Sequence, residues 1–210
     1  MTYSLNEAEA TARKAARGAG YGWGLAEEAG KAVRWLCMQG EDGVAVLASL
    51  LERIDGETLA EHTPTSGAGT IQAEGAWLCP LLAGVMLSDS AAQLRSREIR
   101  MEIVLEPMFL LPFAARAALQ LEMTVTVSTP AFSALTDGRI LTLTGTRISV
   151  AEDVLVRAGG TVGKVSAHAT RCLPNPEAWA VLSRFAERTY APATEASRLL
   201  GAGAGVSEDD

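Results

Sequence analysis

The chain has 210 residues, 48% hydrophobic and 20% charged, a balance that excludes global disorder and lets most apolar surface be buried without disulfide staples. Its 25 acidic and 18 basic residues leave a formal charge of −7, which disfavours a nucleic acid or an anionic membrane as partner because both recruit cations. Alanine (36), glycine (20) and an arginine excess (15 against 3 lysines) dominate, a bias that codon supply can produce and that warns against reading every small residue as chemistry.

In chain order, residues 1–10 hold Glu7 and Glu9 and no basic residue, unlike a secretory leader. Ser4 and Glu7 make a capping box for a first helix with Leu5, Ala8, Ala12, Ala15 and Ala16 on one stripe, and Glu9 stands four residues before Arg13. The glycine run 18–24 breaks it. A second helix follows with Leu25, Ala29, Ala32, Val33 and Leu36 inward, and a third with Val44, Leu47, Leu50, Leu51 and Ile54. Residues 55–75 are polar and glycine-rich and read as a loop. The apolar stretches 77–87 and 107–119 are cut by proline and fall short of the roughly 20 residues that span a membrane, so a cytoplasmic protein is expected.

A strand is predicted over 101–106 and a short helix over 112–120. Residues 121–128 alternate, with Leu121, Met123, Val125 and Val127 inward, as in a half-buried strand. Asp137-Gly138 forms a hairpin-type turn before a strand at 140–150, whose parity change at Gly145 suggests a bulge. Glycines 159 and 160 turn the chain into a strand at 162–171. Asn175-Pro176 opens a helix with Ala178, Val181, Leu182 and Phe185 inward, and Thr194 caps a last one reaching Leu200. The expected class is α+β: a helical N-terminal unit and C-terminal helices on a mainly antiparallel sheet. Its parts are a helical unit at 1–56, a connecting loop at 57–75, an α+β unit at 76–200 and a glycine-rich acidic tail at 201–210, together one compact domain.

Two segments stand out chemically. In 16–30, free amides at the start of the second helix can face an anion, with Arg17 beside them and Tyr21 and Trp23 as walls. A tight helix–helix corner plugged by aromatics explains the same residues. The dinucleotide fingerprint fails because Trp23 stands where its third glycine belongs, and no Gly-Lys-Ser/Thr exists for a phosphate loop. Glu27, Glu28, Lys31 and Arg34 form an ion-pair ladder, Glu27 preceding Lys31 by four, or supply a carboxylate to a site. The second segment, 190–205, brings Tyr190, Glu195, Ser197 and Arg198 ahead of three alternating glycines. A capped helix and an acidic tail explain it equally.

Other chemistry is sparse. His62 and His168 are the only histidines, the second placed on the 162–171 strand; Ser66 near His62 lacks a nucleophile-elbow motif. Cys37, Cys79 and Cys172 are odd in number and far apart, which suits small buried hydrophobes and offers no zinc site.

The motifs Tyr3 to Glu7, Ala16 to Tyr21, Trp23 to Gly30, Pro192 to Arg198 and Gly201 to Gly205 resemble those of a family of bacterial proteins of unknown function. The resemblance implies that both glycine-rich segments belong to one kind of protein, and it assigns no activity or cofactor.

The resulting expectation is a small-molecule-binding protein, or an enzyme of organic-acid or amino-acid metabolism, with no metal site. Arg17 and Arg198 would hold a carboxylate or phosphate. Tyr21 and Trp23 would shape the pocket, and Glu27, Glu28 or Glu195 would orient the ligand or exchange a proton, with Arg34, Tyr190 and Ser197 nearby. The alternative is a non-catalytic homo-oligomeric or accessory protein whose alanine and glycine surfaces are subunit contacts.

Overall fold

A computed structural model describes residues 1–67, 70–163 and 167–190. Two-residue strand β1 (Tyr3–Ser4) leads into α1 (Leu5–Gly18), where the Ser4 side chain accepts from the Glu7 amide and the Glu7 carboxylate accepts from the Ser4 amide. Helix α2 (Trp23–Met38) starts right after Gly22, so only residues 19–22 form the break that the whole glycine run suggests. Ala8, Ala12, Ala15 and Ala16 are buried, and α2 meets α1 at Gly30, where a Cβ would lie 2.8 Å from the Glu9 carbonyl oxygen. This close approach is the physical use of the alanine stripe. Helix α3 (Gly43–Ile54), capped by Asp42, buries its leucines against the same layer.

The stretch read as a loop does more than connect. After a short 3-10 turn at Leu59–His62, β2 (Thr65–Gly67) and β3 (Thr70–Gln72) form a hairpin that extends the sheet. Helix α4 (Pro80–Asp89) is apolar on every side and so shows no helical stripe; Gly84 lets the Phe113 ring press against it, since a Cβ there would lie 2.2 Å from Phe113 Cδ2. Strand β4 (Ile99–Leu105) leads through Glu106 and the 3-10 turn Pro107–Leu110 into α5 (Leu111–Leu121).

Three expected strands change. Leu121 is the last residue of α5 and Glu122 turns left-handed (φ 54), so only β5 (Val125–Ser128) remains of the 121–128 strand. The expected strand at 140–150 is two: after β6 (Phe132–Thr136), β7 (Leu141–Gly145) stops at Gly145, and β8 (Val150–Ala158) starts elsewhere in the sheet. Gly145 has φ +97, and a Cβ would lie 2.3 Å from the Ala131 carbonyl oxygen, so the parity change marks a crossover and not a bulge. Within 162–171, only Arg171 is strand among the described residues. It belongs to β9 (Arg171–Cys172), which pairs with β1. His168 therefore sits in irregular chain, its Nε2 2.8 Å from the Arg139 carbonyl oxygen.

The main sheet runs β2-β3-β4-β8-β5-β6-β7, antiparallel throughout except between β3 and β4. Helix α5 lies between β5 and β6 on one side and α2 on the other. Helix α6 (Pro176–Glu187), capped by Asn175, closes the helical layer against α1 and α3. The fold is α+β with a mainly antiparallel sheet. Among the described residues no helix is long and apolar enough to cross a membrane. The helix expected at 194–200 lies outside the described residues.

Candidate functional site

The C-terminal end of α1, the first turn of α2 and the residues just after α6 converge because Gly18 lets α1 and α6 touch. A Cβ on Gly18 would lie 1.7 Å from the Phe185 carbonyl oxygen. Arg188 then fixes the end of α6 with two hydrogen bonds to Asp55, at 2.6 and 2.8 Å. The result is an open cavity of about 280 Å³ lined by Arg13, Lys14, Arg17, Trp23, Glu27, Thr189 and Tyr190.

Its charge opposes that of the chain. Three cations meet one carboxylate, Glu27, and among the described residues none of the three cations forms an ion pair. Arg13 and Arg17 are one helical turn apart on α1, and Lys14 donates to the Tyr190 hydroxyl at 3.2 Å. The Arg17 guanidinium lies 4.6 Å from the Trp23 ring centroid and donates to the Tyr21 carbonyl oxygen, which orients it over the indole. Trp23 and Tyr190 are 68% and 61% exposed, unusual for such large rings.

Of the residues singled out in the sequence, Arg17, Trp23, Glu27 and Tyr190 come together here. Glu195, Ser197 and Arg198 lie outside the described residues. Tyr21 is no pocket wall: its side chain is buried in the core and its hydroxyl is 3.2 Å from the Cys79 sulfur. Burial, and then Cys79, pushes its ionisation upward, so the ring is a neutral packing element. Glu28 points away from Glu27, as consecutive helical positions must, and pairs with Lys31 (2.9 Å) and Arg116 beside a hollow of about 180 Å³ next to α5. Burial raises the Glu28 pKa, but the hydrogen bonds from Lys31 and Arg116 outweigh it and hold the carboxyl below its usual range. Arg34 reaches Asn6 and, at 3.4 Å, Glu9 of α1. The ladder read on α2 is thus corrected: Lys31 pairs with Glu28 and not Glu27, and Arg34 ties α2 to α1.

Arg13 and Lys14 escape the sequence reading because each looks like an ordinary solvated helix charge. The signal that could have found them is the i, i+1, i+4 cluster of cations with Arg17, in a chain of net negative charge. Elsewhere, His62 is buried, stacked on Trp77 at 3.5 Å, with Nδ1 3.0 Å from the Trp77 carbonyl oxygen. The Ser66 side chain lies outside the described residues. Among the described residues no three His, Cys, Asp or Glu side chains group as metal ligands.

Comparison with known proteins adds a family likeness without an activity. Residues 3–75 match the model of a family described as a protein of unknown function (DUF3726), a stretch that includes Arg13, Lys14, Arg17, Trp23 and Glu27 but not Thr189 and Tyr190. The crystal structure of malate dehydrogenase from Entamoeba histolytica is similar over 70% of this chain and 49% of that one, with 9% sequence identity and a TM-score of 0.46. The chain spans about half the length of that structure. No curated protein matches. What the chain resembles over its first third is therefore a family of unknown function, DUF3726.

Proposed function

We propose that the chain binds a small anionic metabolite in the cleft between α1, α2 and α6. The observation that carries this reading is the cluster of Arg13, Lys14 and Arg17 around the exposed Trp23 ring in a chain of charge −7. A carboxylate or phosphate group gains charge-assisted hydrogen bonds from arginine, and an indole face beside it excludes water from one side of the ligand. Organic acids and amino acids carry such groups on bodies that fit about 280 Å³. With it we propose a cytoplasmic metabolite-binding role in which Glu27 orients the ligand. We also propose that the likeness to the bacterial family of unknown function extends to residues 192–198 and 201–205.

The test is thermal shift and tryptophan fluorescence with succinate, citrate and glycerol 3-phosphate at fixed ionic strength. Saturable stabilisation is expected, lost in Arg17→Ala and Arg13→Ala. No saturation by any probe, or equal effects in the variants, would overturn the reading. The exposure of Trp23 and Tyr190 favours a second reading, a contact between copies of the chain; sedimentation of a dimer that Trp23→Ala dissociates would support it.

A further inference from the structure

Cys37, next to the last residue of α2, and Cys172, in β9, are far apart in the chain, yet their sulfur atoms lie 2.7 Å apart. Non-bonded heavy atoms settle at roughly 3.5–4.0 Å, and a disulfide bond needs about 2.05 Å. The two thiols are thus in direct contact and unbonded, and both residues are 2% exposed. Among the described residues no third His, Cys, Asp or Glu groups with them as metal ligands. Asp42, whose charge reaches both sulfurs, accepts from the amides of Ala45 (2.9 Å) and Asn175 (2.8 Å).

We propose that Cys37 and Cys172 form a reversible dithiol–disulfide site whose oxidant is a small-molecule disulfide of the glutathione class. The Cys172 thiolate attacks one sulfur of the oxidant and expels its other half as a thiolate, which takes up the proton Cys172 lost. Cys37 then attacks the Cys172 sulfur of the mixed disulfide, gives up its own proton and expels the second half as a thiol. Two protein thiols and one small disulfide become one protein disulfide and two small thiols. The hydrogen bond from Cys37 lowers the Cys172 pKa against the effect of burial, and the same contact raises that of Cys37, so Cys172 is the first nucleophile.

Access runs through the two-residue pairing of β1 with β9, beside the exposed Leu173. Opening this short pairing uncovers Cys172. The bond would clamp β9, and with it the N-terminal strand, onto the end of α2. Cys79 takes no part: its thiol is in the core against Tyr21.

The experiment treats wild-type protein with oxidised glutathione, removes the excess, then denatures and alkylates it with iodoacetamide before mass spectrometry. One alkylated cysteine, Cys79, and a linked peptide pair containing Cys37 and Cys172 are expected, against three alkylated cysteines after dithiothreitol. Three alkylated cysteines after oxidation, or a persistent glutathione adduct on Cys37 or Cys172, would overturn the proposal. Oxidation is also expected to raise the melting temperature by roughly 5–15 °C, the scale for closing a long loop. Cys79→Ser should keep that rise and Cys172→Ser should lose it; the reverse pattern would contradict the site. If Cys172→Ser fails to fold, the wild-type thiol count decides alone.

Discussion

Gly18→Ala should separate packing from chemistry in the glycine run. The new Cβ would lie 1.7 Å from the Phe185 carbonyl oxygen and 2.8 Å from its carbon, and both are backbone atoms that cannot rotate aside. Restoring ordinary contact needs α1 and α6 to part by about 2 Å. Overpacking against rigid backbone costs about 3 kcal/mol, and alanine returns up to about 1 kcal/mol of helix propensity at this helix end. The net is a loss of about 2–3 kcal/mol, or roughly 5–10 °C in melting temperature for a chain of this size. Gly24→Ala is the matched control. No atom lies within 4 Å of its Cβ and its φ is ordinary, so it should stabilise the protein by about 0.5–1 kcal/mol. The assay is urea unfolding of both variants, read as midpoint shifts at unchanged slope. Wild-type stability in Gly18→Ala, or a marked loss in Gly24→Ala, would refute the packing described for these helices. Because the same contact places Thr189 and Tyr190, Gly18→Ala should also weaken binding of citrate.

Further outcomes follow from other contacts. Tyr21→Phe should cost about 0.5–1.5 kcal/mol through the lost contact with Cys79 while leaving citrate binding intact, since Tyr21 is core and not cleft; equilibrium unfolding and a binding titration check the two halves. Arg17→Ala should weaken anion binding about ten- to hundredfold with stability nearly unchanged, which calorimetry would show. Glu106 is buried and accepts from Ser49 at 2.6 Å; burial raises its pKa, and the Ser49 hydrogen bond and Arg53 offset that only in part. Its protonated form thus favours the fold, a contribution complete below the unfolded glutamate range and lost as pH rises through the raised folded value. Glu106→Gln should therefore match wild type near the unfolded value, about pH 4, and become the more stable of the two as pH rises to about 7, measured by unfolding at several pH values.

Helices α1 and α6 were legible in the sequence because an apolar stripe follows a local cap, Ser4 with Glu7 and Asn175-Pro176, and α2 and α3 were legible from their apolar stripes. Helix α4 was hidden because its apolar residues run round every side, and an apolar run has no period to read. Strand β8 was missed because it sits at the centre of the sheet by a crossover that no local pattern encodes. The 121–128 alternation misled because Leu121 faces the core from a helix end, where a period of two and the last turn coincide. At the cleft, Arg17, Trp23 and Glu27 were visible as an odd local cluster. Arg13 and Lys14 were not, since their importance depends on α6 arriving beside them. The pairing of Cys37 with Cys172 depends likewise on β9 returning to β1, which spacing alone does not show.

The central claim, an anion held over Trp23 by the α1 cations, is tested most directly by following the four tryptophan indole N–H resonances during titration with citrate, with Trp23→Phe assigning the one that matters. A saturable shift of the Trp23 resonance, with Trp35, Trp77 and Trp179 nearly still and the response gone in Arg17→Ala, is the predicted result. No saturating shift at Trp23, or an equal one in Arg17→Ala, would contradict it.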